Sequence, residues 1–526
     1  MWPVAAAWLL CSVLAEAATE ESSETTGVNL GIAIMLLGSI GFMMGIFYLV
    51  NHEDKQMQIC TWKVICATIS IFVSVLIYQA VNDVVKAIFL RGSSPFEEIQ
   101  VSFAHSLVWF FTLQVFLATV SAAITWPWCG KPDRSEEADS KRALDLKCWA
   151  VILGHITGFA FISAWSQLHE VLEGSLLIFP LAYCVFRLLF KLTEKAREFV
   201  IFADDGEKDV LEEHWDEATE ETEDDVMGLT MSYLVVQTLR FWTTGYMPNA
   251  EGSLPQGKST SNLQAAILMI VGILIAVASY MRTVYFPDWH GRNAMWLRLI
   301  CDFSFSWTIM FGIDAFLTNS GLGGAVFGVV GDVITACIVT VWAFAVIYFL
   351  DKEVDLTMHA ETELAASPSK KDQAKARLQK RKRAAMRGTI LALGVLIGFA
   401  WEKSFDTAVD DTAEKESKFM PPSFVKMVLA MLLATVVLPA WRWYILPEVV
   451  RLGGFSDPMD EEAEEAVEKA EQGYSPPVLA ETVMLPETME LRLQEQQKRI
   501  EQLELEKGEL TAEVVRLRKR VDELDR

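Results

Sequence analysis

Two aspartates lie inside long apolar runs of this chain, where a charged side chain is expensive. Asp302 lies in RLICDFSFSWTIMFG, and Asp332 is the one charged residue of GGAVFGVVGDVITACIVTVWAFAVIYFL. On insertion scales an ionised aspartate at the centre of a membrane helix costs about 2.5–3.5 kcal/mol, so such residues typically mark ion pathways, proton relays or buried pairs. Asp302 and Asp332 are therefore the first candidates for chemistry.

Other ionisable residues in apolar runs leave two interpretations open. Arg240 lies past the middle of its run, close to Gln237. Carboxylates near one membrane face could collect cations or protons and pass them to the deeper aspartates, as relays do in transporters and channels. Alternatively, the residues near run ends only reach interfacial water, and Arg240 neutralises one deep aspartate as a buried pair. The residues near run ends are Asp83, His169, Glu170, Glu173, Glu402, Lys403 and Asp406.

Enzymatic and metal chemistry are not predicted. His169 and Glu173 have the four-residue spacing of metal ligands on one helix face, but the second histidine of an HExxH motif is absent. The seven histidines are scattered, and no CxxC pair occurs. No P-loop, GxSxG or dinucleotide fingerprint occurs in its required context. We therefore expect no enzymatic activity, no metal and no other cofactor.

The composition indicates a membrane protein with acidic aqueous parts. The 526 residues are 52% hydrophobic, yet the formal net charge is -24. The two properties are segregated, because long apolar runs alternate with short, strongly charged connectors. The lipid bilayer is thus the expected partner. Nucleic acid is not, since the chain is acidic and its one dense basic cluster adjoins an apolar run.

Eleven apolar runs are long enough to cross a hydrocarbon core of about 30 Å, which takes about 20 helical residues. Backbone groups in lipid must pair internally, and the runs are much longer than barrel strands, so they are predicted to be helices. The predicted fold is an all-α, polytopic membrane helical bundle of about 11 transmembrane helices. The runs lie near 28–50, 58–90, 101–125, 145–169, 174–193, 226–247, 263–286, 294–317, 322–350, 387–408 and 422–446.

Small residues in these runs predict close helix packing. Lipid gives helices no hydrophobic reason to associate, so small residues that let two backbones approach closely favour contact. Chance spacing explains any single pair, but four together favour a compact bundle. The GxxxG pairs are Gly41/Gly45, Gly154/Gly158, Gly324/Gly328 and Gly394/Gly398.

The orientation follows from the N-terminus and the basic connectors. Residues 1–17 are typical of a secretory signal peptide, with a short apolar stretch and the small-x-small site Ala15-Glu16-Ala17. The basic n-region is missing, so an uncleaved hydrophobic end is the alternative. Lys- and Arg-rich connectors alternate with poorly basic ones, which predicts a multi-pass protein of the secretory pathway, in the plasma membrane or an endomembrane. Its N-terminus would be outside or lumenal and its C-terminus cytosolic.

This topology divides the chain into segments. The acidic stretches are read as solvated faces, with binding of a divalent cation or a basic partner as the alternative. After the signal peptide come a short lumenal or extracellular segment (18–27), transmembrane helices 1–5 (28–193), an acidic cytosolic connector (194–225), helices 6–9 (226–350), a basic cytosolic loop (351–386), helices 10–11 (387–446), an acidic cytosolic linker (447–486) and a parallel coiled coil (487–526).

The C-terminal coiled coil is predicted from its heptads. Apolar, mostly β-branched residues at a with Leu at d favour a parallel two-stranded coil, and a single Lys at a helps to select the oligomer. We therefore expect a homodimer through residues 487–526, with a lone amphipathic helix as the alternative. The core positions are Leu493, Ile500, Leu503, Lys507, Leu510, Val514, Leu517, Val521 and Leu524.

The expected function is a multi-pass membrane transporter or channel for a small ion or solute. A cation or proton is the expected coupled species, because the candidate set is mostly carboxylate. The alternative is a non-transporting membrane scaffold whose zipper and acidic tail recruit partners. Transport needs a polar cavity that reaches the midplane between packed helices. It is excluded if Asp302 and Asp332 both face lipid headgroups, or if both are sealed in a salt bridge with no cavity. The transport or coupling candidates are Asp302, Asp332, Arg240, Asp83, Glu170 and Asp406.

Overall fold

A computed structural model describes most of the chain up to Arg451. The predicted signal peptide, the segment 18–27, residues 452–486 of the acidic linker and the coiled coil 487–526 lie outside the described residues. The described residues are 40, 43–52, 55–90, 94–124, 135–202, 208–286, 291–324, 328–365, 369–415 and 420–451.

Every regular element of the described part is a helix, so the predicted all-α fold is confirmed there. A further helical stretch covers residues 43–50. The helix that begins at Pro422 continues through a π-helical turn, Trp441–Ile445, into the short last helix. The helices are α1 (Lys55–Phe89), α2 (Pro95–Val120), α3 (Glu136–Val171), α4 (Ile178–Ile201), α5 (Val210–Thr244), α6 (Asn262–Tyr285), α7 (Arg292–Asn319), α8 (Val329–Ala365), α9 (Lys370–Lys415), α10 (Pro422–Ala440) and α11 (Leu446–Arg451).

Eight of the described helical segments are long and apolar enough to cross a membrane, as a multi-pass membrane protein requires. They comprise α1–α3, α6–α9 and the segment from α10 through α11. The two helices at the predicted fifth and sixth spans are more polar. The second half of α4 carries basic and acidic residues, and α5 begins with an acidic half and carries Arg240 in its apolar half. The predicted count of eleven spans is therefore not established.

Side-chain caps explain where several helices begin. Ser94, Asp209 and Ser261 each accept hydrogen bonds from backbone N–H groups of the following turn. The N3 residue returns a bond to the cap backbone in each case, which completes a capping box. α5 ends at Gly245, whose φ of 77° is in the left-handed region.

Two of the four GxxxG pairs lie at helix contacts. A Cβ on Gly154 would come 2.7 Å from the Thr222 side chain, and one on Gly158 would come 2.7 Å from Leu229, so α3 and α5 pack closely here. Gly394 and Gly398 of α9 contact α1 in the same way, at Val64 and Ile71. Gly45, in contrast, has no atom within 4 Å of such a Cβ in the described part.

Two predicted connectors are largely helical. The basic segment 351–386 is no loop: α8 continues to Ala365 and α9 begins at Lys370. Within the acidic segment 194–225, α5 starts at Val210. Hydropathy marks where a helix is apolar and does not mark where it ends. Glu, Lys, Ala and Arg are strong helix formers, and Asp209 supplies a cap, so these helices extend past their apolar parts.

α7 runs from one end of the bundle to the other. Arg292, its first residue, contacts acids of α5. Asp314, in its last turns, contacts a lysine of α9. We name the first the arginine end and the second the carboxylate end. The 22 residues from Arg292 to Asp314 rise about 33 Å along a helix, close to the thickness of a hydrocarbon core.

Candidate functional site

Lys426 is the centre of a buried ion cluster at the carboxylate end. Its ammonium lies 3.3 Å from Asp83 of α1, 3.3 Å from Asp406 of α9 and 2.6 Å from Asp410 of α9. The Lys426 side chain is only 7% exposed. Gln79 donates a hydrogen bond of 3.1 Å to Asp406. Three helices therefore meet at one lysine.

A second lysine binds two more aspartates beside it. Lys403 of α9 lies 3.0 Å from Asp314 of α7 and 3.5 Å from Asp332 of α8. Thr407 donates a hydrogen bond of 2.9 Å to Asp332. A Cβ on Gly324 would come within 2.2 Å of the Asp332 carboxylate, so the Gly324 backbone and this carboxylate lie close together.

Glu402 joins the two lysine centres. It precedes Lys403 and interacts electrostatically with Asp406, Lys426 and Lys403. Among the described residues, its carboxylate has no ion pair within 4.0 Å. Glu402, Asp406 and Asp410 follow one another at four-residue steps on one face of α9, as a helix of 3.6 residues per turn requires. The lysine–carboxylate cluster consists of Asp83, Asp314, Asp332, Glu402, Lys403, Asp406, Asp410 and Lys426.

This cluster contains more acid than base. Six carboxylates face two ammonium groups, an excess of four negative charges when all are ionised. Opposite charges within hydrogen-bond distance offset part of the desolvation cost, but the excess acids repel one another. Such a site attracts cations and can take up protons.

Of the six predicted coupling candidates, the structure brings three together: Asp83, Asp332 and Asp406. Asp332 is the fourth residue of α8 and belongs to the carboxylate end. Asp302 lies deeper, at the eleventh residue of α7, and is held separately. Arg298 lies 3.6 Å from the Asp302 carboxylate, and Ser279 of α6 donates a bond of 3.1 Å to it.

Arg240 is not the counter-charge of either deep aspartate, so that prediction is wrong. Its guanidinium donates a hydrogen bond of 2.6 Å to the Gly252 carbonyl and lies 4.1 Å from the centroid of the Phe311 ring. Asp302 pairs with Arg298, and Asp332 with Lys403. The Arg298–Asp302 spacing of four residues on one helix is a pairing signal that the sequence contained.

Glu170 is also outside the cluster. It adjoins His169, whose Nδ1 lies 2.9 Å from Gln237 Oε1 on α5. His169 and Glu173, whose four-residue spacing resembles that of metal ligands, do not share a helix face, because α3 ends at Val171 and Glu173 has a φ of 50°. In the described residues no three His, Cys, Asp or Glu side chains are grouped as metal ligands.

Three residues of the cluster, and the Thr407 hydroxyl that donates to it, were not among the predicted site residues. Asp314, Asp410 and Thr407 lie close to predicted span ends, where polar residues are common. Lys426 had a clearer signal, as the only charge in the last apolar run before Arg442. A lone lysine beside the carboxylates of a neighbouring run suggests a buried pair, but only the tertiary packing shows which acids it meets.

The arginine end holds a second network, which we call the arginine network: Arg197 and Arg292 with Asp216, Glu220, Glu223 and Asp224. Glu223 is fully buried and lies 2.8 Å from Arg197 and 2.9 Å from Arg292. Thr193 and Gln114 also donate hydrogen bonds to it. The interpretation of this acidic segment as a solvated face is therefore wrong for Glu223.

Two acids of the arginine network respond differently to their surroundings. Burial acts to raise the pKa of Asp216, but hydrogen bonds from Arg197 and Lys208 outweigh it and hold the pKa below its usual range. Burial raises the pKa of Asp224 to about 6, although Arg292 and Trp296 interact favourably with its charged form. The difference reflects desolvation, since Asp216 keeps more contact with solvent than Asp224.

Two small cavities among the described residues lie toward the arginine end. One of about 10 Å³ is bordered by Arg142 and His214, and one of about 30 Å³ by Lys147 and Asp225. The first has room for about one water molecule and the second for about two. Neither is bordered by Asp302 or by a residue of the lysine–carboxylate cluster.

No protein-family model, no curated protein and no solved structure matches this chain. Its function has to be argued from the two charged regions and the helices that hold them.

Proposed function

We propose that this chain is a multi-pass membrane transporter or channel for a small ion or solute, linked to a cation or proton at the lysine–carboxylate cluster. One observation carries the proposal: six carboxylates and two lysines from five helices meet at one end of an apolar bundle. Ionisable residues inside apolar helices are costly and characteristically serve ion or proton pathways.

The excess of carboxylates explains how an ion would be recognised. Lys403 and Lys426 offset two negative charges, and a proton or metal cation would offset another. Glu402 is the first acceptor in this scheme, because it lacks an ion pair in the described part and borders both lysines. Asp83, Asp332 and Asp406 keep the coupling role expected of them, whereas Asp302 forms a structural pair with Arg298.

The arrangement also links ion binding to helix movement. The cluster joins α1, α7, α8, α9 and α10, so a change in its charge alters the attraction between helices from different parts of the chain. A ligand shifts a conformational equilibrium only through such a difference in interaction between states. We further propose the orientation expected from the connectors, with this end outside or lumenal and the C-terminus cytosolic.

Proteoliposome flux tests the proposal. The purified full-length chain is reconstituted with an internal pH-sensitive dye, and cation and proton movements are followed under imposed gradients. We expect Glu402→Gln to lower flux at least tenfold, because it removes the proposed acceptor and keeps its shape. Asp411→Asn is the matched control, an exposed carboxylate of the same helix beyond the cluster. Wild-type flux equal to that of protein-free liposomes for every cation tested rules out transport.

A non-transporting scaffold is the second candidate, and one observation favours it. Asp302 and Asp332 are both held in ion pairs, and the two cavities described above border neither of them. The condition that excludes transport is met only at Asp302, however, because the Lys403 side chain that pairs with Asp332 is 39% exposed and does not seal it. In this function the helices anchor the chain, and the homodimeric coiled coil 487–526 recruits partners. Crosslinking at Leu510→Cys tests the dimer, and recovery of monomer alone would contradict it.

A further inference from the structure

The α5–α6 loop, residues 245–261, is attached to α5 by three side chains. Tyr233 donates a hydrogen bond of 2.9 Å to the carbonyl of Asn249. Gln237 donates one of 2.8 Å to the carbonyl of Pro248, and Arg240 donates one of 2.6 Å to the carbonyl of Gly252. Each bond joins a helix side chain to the loop backbone.

These three donors form one face of α5. Their spacing of four and then three residues places them in line along the helix. Tyr233 is 3% exposed, Gln237 1% and Arg240 7%. A buried donor left without an acceptor costs about 1–3 kcal/mol, and more when it is charged. The loop carbonyls therefore complete the hydrogen bonding of α5, and opening the loop would leave these donors unpaired unless water reached them.

Gly252 lies directly on an aromatic stack inside the bundle. Its φ of 81° favours glycine, and a Cβ there would come within 2.6 Å of the Phe311 ring. Below Phe311 lies Trp307, 5.9 Å away between centroids and inclined by 15°. Trp307 in turn stacks on Phe399 of α9 at 3.8 Å. Arg240 lies over Phe311, so the loop, the guanidinium and the three rings form one continuous column.

Gln237 also connects the loop to α3. Its amide nitrogen must face Pro248, because that carbonyl can only accept, and the same nitrogen donates to Ser166 at 2.7 Å. The amide oxygen therefore accepts from Nδ1–H of His169, 2.9 Å away. This assignment fixes the His169 tautomer with its hydrogen on Nδ1. One buried glutamine thus holds α3, α5 and the loop together.

The loop lies at the carboxylate end of the bundle. Asn319, the last residue of α7, donates a hydrogen bond of 2.7 Å to Thr260 of the loop. Asp314 lies near the same end of α7, one turn before Thr318, and belongs to the lysine–carboxylate cluster. The loop therefore lies on the column of rings at the same end of the bundle as the cluster.

We propose that the α5–α6 loop is a latched gate over this end, closed by Tyr233, Gln237 and Arg240. Opening breaks the three hydrogen bonds and lifts Gly252 from Phe311, which uncovers the aromatic column. The gating role rests on the proposed transport function, whereas the latch itself rests on the hydrogen bonds alone. Lids of this kind admit a substrate and then separate it from the surrounding water.

Cysteine labelling tests the latch. Pro248 is a buried residue of the loop itself, so Pro248→Cys serves as a reporter for a membrane-impermeant maleimide, with labelling quantified on the peptide that contains residue 248. Adding Arg240→Met or Gln237→Leu should raise the labelling rate at least tenfold. Thr238→Val is the matched control, since Thr238 is equally buried on α5 but bonds only to the Leu234 carbonyl of its own helix.

Tyr233→Phe is the conservative latch variant, because it removes one hydroxyl and keeps the ring, so a change in labelling does not come from misfolding. It should raise labelling by a smaller factor, about threefold or more. Equal labelling of all variants, or an equal rise in Thr238→Val, overturns the latch whatever the flux. If the loop is a gate, the flux of the latch variants must also differ from that of the wild-type chain. A rise in labelling with unchanged flux overturns the gate. If no variant and no wild-type chain transports, the transport proposal fails, and with it the gate.

Discussion

The arginine network and the lysine–carboxylate cluster both pair carboxylates with basic side chains, but the two regions differ in how completely the carboxylates are paired. At the arginine end, Glu223 is fully buried and receives four donors, two of them from arginines. At the carboxylate end, Glu402 has no ion pair in the described part, and Asp410 is half exposed. A planar guanidinium fixes the geometry of its carboxylates, whereas an ammonium is a point charge that its partners can exchange. We infer that the first network holds helices together and the second is built for exchange.

The largest expected effect is the loss of an arginine from the closed network. Arg197→Met leaves Glu223 and Asp216 without one of their counter-charges, and breaking a buried pair costs about 3–5 kcal/mol. We expect a clear fall in the thermal unfolding temperature in detergent. Arg451→Met is the control, since the Arg451 side chain is 67% exposed, pairs with Glu448 on its own helix, and exposed pairs of this kind contribute little to stability. Equal losses in the two variants would show that the network has no special role in stability.

A smaller effect is expected at the lysine–carboxylate cluster. Lys426→Met leaves Asp83, Asp406 and Asp410 to repel one another, but two of these acids keep access to solvent, so we expect a loss of about 1–3 kcal/mol. The loss should shrink as the concentration of a small cation rises, because the cation replaces the missing ammonium. The Arg197→Met loss should not shrink in this way. If both variants respond to cations alike, the distinction between the two regions is wrong.

The smallest expected effect is the pH dependence from Asp216. Its pKa is lowered in the folded state, so the unfolded chain binds a proton first as the pH falls. Its contribution to stability is therefore complete above the ordinary aspartate pKa of about 3.9 and is lost as the pH falls through the lowered value. Asp216→Asn should make the unfolding temperature depend less steeply on pH below about pH 4, and it should leave the dependence above that pH unchanged. If the unfolding temperature of this variant falls at low pH as steeply as that of the wild-type chain, the assignment of this pH dependence to Asp216 is wrong.

Sequence reasoning succeeded where the signal was composition along one helix. Apolar length predicted the helices around Asp302, Asp332 and Asp406, and small residues at Gly154 and Gly158 predicted a close contact. It failed for polar partners. Arg240 was assigned to an aspartate, although its acceptor is a loop carbonyl, because a side chain's partner depends on which helices are neighbours. The acidic start of α5 was similarly read as solvated, although two arginines distant in sequence bury Glu223.

The all-helical fold and the apolar segments follow from composition and periodicity, because backbone hydrogen bonding and the cost of burying charge act locally along the chain. The grouping of Asp83, Asp332 and Asp406 around two lysines was decided by the packing of five helices. So was the attachment of the α5–α6 loop to the inner face of α5. Coulomb and hydrogen-bond energies depend on distances between residues far apart in sequence, and those distances exist only once the helices have packed.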